Sequence, residues 1–193
     1  MNGNLLFLDT ETTGFKKSGL IVEGQARVVQ LGMILTDKFG KSIMEFCTMI
    51  RHDKQWSIGD GAQAIHGKTD DDCQKHGISF DQAFYIYQHM ADRADKTIAH
   101  NAAFDKSMME VEAAYVSHLY ASPNETRRDS WYCTMKANAG LSGGKSLANC
   151  YKHYTGKEIK DAHDAMADTR ACMAVYFAMC EKSKVGCYDH LST

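Results

Sequence analysis

Proline is almost missing from this 193-residue chain, Pro123 being the only one, and glycine is limited to 15 residues. So little of either argues against long linkers and disordered tracts. No uninterrupted apolar run reaches the ~18 residues that a membrane-spanning helix needs, so no membrane partner is expected. The first apolar run, Leu5 to Leu8, lacks a basic segment before it and is cut short by Asp9, so no secretory signal is expected. Cysteine is present without a pairing pattern. Cys47, Cys73, Cys133, Cys150, Cys172, Cys180 and Cys187 are odd in number and include no C-x-x-C spacing. Neither a disulfide framework nor a cysteine zinc site fits this pattern. Small buried thiols in a reducing, cytoplasmic compartment do. A strong charge of either sign is also lacking, because 22 Lys and Arg face 24 Asp and Glu for a net charge of −2. A basic body is therefore excluded, and any polyanionic partner would have to meet a local basic rim.

What is present is an ordinary globular composition, 44% hydrophobic and 24% charged, in a length suited to one domain spanning residues 1–193. Leu5 to Leu8 reads as a buried strand ending at Asp9-Thr10-Glu11-Thr12-Thr13-Gly14. After a polar loop from Phe15 to Gln25, the stretches Arg27 to Thr36 and Ser42 to Ile50 read as two more strands. Only Asp37 to Lys41 separates them, so they form an antiparallel hairpin. The period then changes. Phe80, Ala83, Phe84, Tyr87 and Met90 recur at helical spacing behind Ser79 as a cap. Thr97 to His100 is a further strand, and Asn101 is placed to cap a helix carrying Phe104, Met108, Val111, Ala114, Tyr115 and Leu119. A fifth strand is expected within Asp129 to Met135, and helices over Ser146 to Tyr154 and Ala165 to about Cys180. Three strands followed by alternating helices and strands predict an α/β fold, a mixed sheet with helices on both faces.

Three clusters carry chemistry. Asp9 and Glu11, two apart on a strand, project from one face at its carboxyl end, where ligands of open α/β sheets bind. Asp105 falls in the first turn of the helix after Thr97 to His100, near another strand end. His163 and Asp168 would diverge by roughly 140° if both were helical. With Asp164 as the cap, His163 instead lies in the preceding loop, free to act as a general base beside a fixed carboxylate. Taken singly, each cluster has an ordinary reading: solvated acids at a loop edge, an acid favoured by a helix dipole, a surface histidine. Together they bring four acids and a histidine to strand ends and helix starts of one sheet. Such an oxygen-rich set suits Mg²⁺ or Mn²⁺ rather than Zn²⁺, and a metal pair of this kind cleaves phosphodiesters.

The segments Phe7 to Gly14, Ala99 to Asp105 and His163 to Asp168 resemble, in order and spacing, the three motifs of the DnaQ-like (DEDDh) 3′→5′ exonucleases. The proofreading ε subunit of bacterial DNA polymerase III is the nearest well-known type. Ala64 to Thr69 and Lys145 to Cys150 are similar to two secondary family segments. The histidine stands five residues before the last acid with no tyrosine nearby, as in the h subtype. The resemblance implies a ribonuclease H-like mixed five-stranded sheet with one antiparallel strand. It implies that Asp9, Glu11, Asp105 and Asp168 hold two Mg²⁺ (or Mn²⁺), with Asp9 bridging, and that His163 is the general base. Thr10, Thr12, Thr13, His66, His100, Asn101 and Phe104 would meet the terminal nucleotide. The implied partner is a nucleic-acid 3′ end, single-stranded DNA in preference to RNA, with exoribonuclease action as the alternative. The Phe15 to Gln25 loop, basic at Lys16 and Lys17, departs from a short family turn and is a further candidate for substrate contact. The tail that ties ε to its polymerase is not evident before the chain ends at Thr193.

Two rivals are weaker. Gly143-Gly144-Lys145-Ser146 looks like a phosphate-binding loop, but the pattern needs glycine at 139, where alanine stands. A non-catalytic nucleic-acid-binding module would be expected to lack one of the five site residues, and all five are present.

Overall fold

The computed structural model describes residues 3–52, 54–116 and 130–183. The apolar start of the chain belongs to β1 (Leu5–Thr12), which continues past the aliphatic run to include both Asp9 and Glu11. β2 (Val28–Thr36) and β3 (Ser42–Met49) follow as the expected hairpin. Next come α1 (Asp60–His66), α2 (Asp70–His76), α3 (Phe80–Ala91), β4 (Lys96–Ala99) and α4 (Ala102–Val116). The remaining elements are β5 (Trp131–Cys133), α5 (Thr134–Ala137), α6 (Leu147–Thr155) and α7 (Ala165–Ser183).

The five strands form one sheet in the order β3-β2-β1-β4-β5. β2 is antiparallel to both its neighbours, whereas β1, β4 and β5 pair in parallel. The single antiparallel strand is thus β2. Alternation along β1 fixes which helices cover which face. Leu6 and Leu8 enter a core with Phe80, Phe84 and Met90 of α3 and Met108 of α4. Leu5 and Phe7 enter the opposite core with Met166, Cys172 and Tyr176 of α7. Burial of each large side chain contributes about 1.5–3 kcal/mol, so a slip of one residue along β1 would exchange the two faces at great cost.

The fifth strand falls within Asp129 to Met135 as expected and ends at Cys133: Thr134 and Met135 begin α5, and the Asn138 side chain donates to Thr134 O at 2.8 Å, closing that turn. One expectation needs correction. Asn101 does precede α4, but in the left-handed conformation (φ 69°), and its carbonyl accepts from Phe104 N at 2.8 Å. The left-handed backbone suits an abrupt strand-to-helix turn, for which asparagine is among the better-tolerated residues. Asp129 and Leu119 lie outside the described residues.

α7 meets the sheet at Gly32. A Cβ there would lie 2.5 Å from Ala165 O and 2.8 Å from Met166 N. The Thr169 hydroxyl is shared between Ala165 O at 2.6 Å and Gly32 O at 3.1 Å, clamping the same junction. Because this junction sets where the start of α7 sits, Gly32→Ala is expected to cost about 3 kcal/mol through overpacking. Urea unfolding would measure the loss. A Gly32→Ala protein as stable as wild type would contradict the close approach.

Candidate active site

On β1, Asp9 and Glu11 extend the face of Leu5 and Phe7, so they point to the side on which α7 begins. Asp168, in the first turn of α7, meets them there. Ligand atoms of Glu11, His163 and Asp168 all come within 4.8 Å of one another. Asp105 approaches from α4, across the strand. It is 2% exposed, and its Oδ1 accepts from Thr10 N at 3.0 Å and Thr10 Oγ1 at 2.9 Å. The site therefore closes over the carboxyl-terminal end of β1, with one helix start on each side.

Electrostatics separates the acids into two kinds. Burial raises Asp9 well above the usual carboxylate range, and Asp105, Asp168 and Glu11 add to the shift. Glu11 is pushed up to about 8, first by burial and then by Asp168, against a smaller opposing pull from Lys68. Burial pushes Asp105 up to about 7 despite the bonds from Thr10. Asp168 is raised as well, chiefly by burial. Asp164 stands in the same neighbourhood and moves the other way. Burial alone would raise it, but bonds from Gln30 and Ala167 and the charge of Lys68 outweigh that and hold it low. Four carboxylates are thus crowded with too few donors, while the fifth is fully engaged in structure.

Asp164 is engaged as the cap of α7. Its Oδ1 accepts from Met166 N at 3.1 Å and Ala167 N at 3.2 Å. Position 163 consequently falls outside the helix, in a left-handed conformation (φ 67°), and its N–H donates to Asp168 Oδ2 at 3.2 Å. The His163 ring is exposed at the edge of the acid cluster.

Several of the residues expected to meet substrate have polar groups that are already committed to the protein. Thr10 holds Asp105. Thr12 Oγ1 donates to Gly14 O at 2.7 Å. Thr13 exchanges two bonds with Arg27, through Thr13 N to Arg27 O and Arg27 N to Thr13 Oγ1. Arg27 in turn forks onto Glu112 of α4 through Nε and Nη2 and lies over the Tyr115 ring at 4.0 Å. His100 uses both ring nitrogens, 2.9 Å from Thr134 Oγ1 and 2.9 Å from Lys145 O, and so ties β4 to the turn before α6. That turn, with Ser146 as the α6 cap, is where the Gly-Gly-Lys-Ser sequence is used. His66 is buried, its Nδ1 accepts from Lys68 N, and burial lowers its pKa, which favours the neutral ring. Asn101 is exposed beside the first turn of α4. Phe104 packs edge-on against Phe15 at 5.9 Å, and Phe15 itself is 85% exposed. The loop from Phe15 is shaped by the buried Gln25, whose side chain bonds Lys17 N, Gly19 O and Ala26 N. Phe15 was recognisable in sequence only as the start of a divergent loop.

The acids fit divalent cations on their own evidence. Asp168 Oδ1 is buried with no hydrogen-bond partner among the described residues, although Oδ2 has one. An orphaned carboxylate oxygen beside three other acids of raised pKa is what a hard, oxygen-preferring cation would satisfy. The stability consequence has a definite sign. Glu11 and Asp105 have folded pKa values above their ordinary ones, so the folded state holds protons that the unfolded chain has lost. Their stabilising contribution is complete below about pH 4 and lost as pH rises through about 7 to 8. In EDTA the Tm is therefore expected to fall between pH 5 and pH 8. Mg²⁺ should restore it most at the alkaline end, and a Tm indifferent to both would contradict the crowded site.

The sequence matches the model of the RNase_T exonuclease family over residues 6–176. A search of curated proteins found no significant match. Among solved structures, E. coli exonuclease I in complex with a dT13 oligonucleotide is similar with a TM-score of 0.77 at 18% identity, covering 97% of this chain. The zinc-bound form of the E. coli exonuclease I complex with single-stranded DNA gives 0.77 at 19% identity over 97% of this chain. This chain spans 43% and 42% of those two chains. The nuclease domain of 3′hExo, a DEDDh family member bound to rAMP, gives a TM-score of 0.71 at 10% identity, covering 94% of this chain and 93% of that one. At such identities these structures establish a shared ribonuclease H-like fold, while the family match rests on the sequence. Spanning all three acidic motifs, it makes this chain a member of the RNase_T exonuclease family, within the DnaQ-like superfamily.

Proposed function

We propose that the protein is a 3′→5′ exonuclease that hydrolyses single-stranded DNA from its 3′ end to nucleoside 5′-monophosphates. The observation that carries this reading is the buried cluster of raised-pKa carboxylates, with an orphaned Asp168 oxygen, beside the exposed His163. Asp9, Glu11, Asp105 and Asp168 would hold two Mg²⁺ or Mn²⁺. When bound, such cations neutralise the acids and polarise the phosphodiester. The chain's own residues do the rest. His163 in its neutral form takes the proton of the attacking water, which its position outside α7 permits. Asp168 orients that histidine segment by accepting its backbone N–H. Thr10 fixes the Asp105 carboxylate, so that α4 and β1 present their acids in one arrangement.

The walls around the acids would receive the terminal nucleotide. Thr12, Thr13, His66, His100, Asn101 and Phe104 would shape them, and Phe15 adds an exposed aromatic face against Phe104. Stacking on such rings tolerates any base, so weak sequence preference is expected. The preference for DNA draws on the ε-like motifs and on the oligonucleotides bound by E. coli exonuclease I. The rAMP held by the 3′hExo nuclease domain favours an exoribonuclease as the second reading. The described cysteines are free thiols, in keeping with a cytoplasmic location.

Matched 5′-labelled DNA and RNA single strands, incubated with Mg²⁺, Mn²⁺ or EDTA, test the proposal. The expected result is a metal-dependent ladder shortening from the 3′ end, faster on DNA. Faster RNA shortening would favour the second reading, and no shortening of either would refute exonuclease action by this chain. Asp9→Ala is expected to abolish shortening while the protein stays folded, because it relieves buried repulsion as it removes a cation ligand. His163→Ala should lower kcat about 10²–10⁴-fold. Near-normal turnover in either variant would show that the residue roles are wrong.

A further inference from the structure

Lys68 has no part in the chemistry above, yet it stands at the edge of the acid cluster. It lies two residues after the buried His66, in the connector between α1 and α2. Its side chain is 20% exposed, and its Nζ lies 3.2 Å from Asp164 Oδ2. The same oxygen accepts from Gln30 Nε2 at 2.9 Å, and Gln30 Oε1 accepts from Ala165 N at 3.0 Å. Asp164 is therefore gripped from two directions, by β2 through Gln30 and by the α1–α2 connector through Lys68, while its other oxygen caps α7.

The residue so gripped is the one directly after His163. Asp161 (φ 56°) and His163 (φ 67°) both adopt left-handed conformations, which residues with a side chain adopt uncommonly. Such a segment keeps its shape only where its surroundings impose it. The cap alone does not explain Lys68, because an uncharged asparagine or serine at 164 would also satisfy the first N–H groups of α7. The ion pair adds a tether between that cap and the segment carrying His66.

We propose that Lys68 is a positioning residue that acts through Asp164 to hold the left-handed segment presenting His163. It thereby sets the rate of turnover rather than the binding of nucleic acid. The proposal rests on the exonuclease reading for its kinetic consequence, and on geometry alone for its structural one. The rival role for a lysine in this place is direct contact with a substrate phosphate.

Lys68→Met keeps the methylene stem and removes the charge, Lys68→Arg keeps a cation, and Asp164→Asn keeps the cap but not the ion pair. With Mg²⁺ and a 5′-labelled DNA strand, Lys68→Met is expected to lower kcat about tenfold with KM changed less than about twofold. Lys68→Arg should recover most of that rate. In the Asp164→Asn background Lys68→Met should add little, since both remove the same interaction. Hydrogen exchange of the peptide covering residues 157–164 should be faster in Lys68→Met than in wild type. A raised KM at unchanged kcat, losses that multiply in the double variant, or unchanged exchange would each overturn the proposal. Should wild type shorten no substrate, the exonuclease reading fails, and the exchange comparison still decides whether Lys68 holds the segment.

Discussion

The burial of several carboxylates in one place is the constraint on which this structure turns. Asp9, Glu11, Asp105 and Asp168 are drawn from β1, α4 and α7 into one place, and the pKa of each is raised there. A chain under pressure only for stability would not assemble such a group, because desolvated like charges oppose folding. The surrounding structure has to hold them together, and much of the architecture near the end of β1 serves that end. The period-two alternation of β1 delivers Asp9 and Glu11 to the α7 side and Thr10 to the α4 side, where it grips Asp105.

The supports lie outside the acids themselves. Gly32 lets the start of α7 settle on β2, which places Asp168 opposite Glu11. Arg27 and Glu112 form a buried fork between the start of β2 and the middle of α4, with Glu112 also accepting from Val28 N. Such a pair contributes little net stability over a well-packed apolar substitute, but it fixes orientation. Through Thr13 it is continuous with the loop after β1, so α4 is registered at two points, against β1 at Thr10 and against that loop at Arg27. Asp164 and its partners do for the His163 segment what Arg27 and Glu112 do for α4.

Much of this was legible in the sequence, and the rest was hidden for identifiable reasons. The facing of Asp9 and Glu11 follows from strand period alone. The placing of His163 outside the helix follows from a spacing of five that a helix cannot accommodate, with Asp164 as the alternative cap. α1 and α2 escaped sequence reading because each is short and buries one side chain, His66 and Cys73, leaving no apolar period to detect. The end of the fifth strand was not legible because Thr134 suits strand or helix, and the partners that decide, Asn138 and His100, act through folded geometry. The commitments of Thr10 and Lys68 were equally invisible, since their partners lie 95 and 96 positions away. Motif resemblance identifies which residues gather, whereas side-chain partners determine which groups remain available to a substrate.

The most direct test of the central claim is the count of protons displaced when Mg²⁺ binds, by calorimetry at pH 7 in buffers of different ionisation enthalpy. If the acids are crowded and partly protonated without a cation, binding releases about one proton or more per chain. The release should diminish in Asp9→Ala. Binding of Mg²⁺ without proton release, or no binding at all, would contradict the account of a carboxylate cluster built to hold divalent cations.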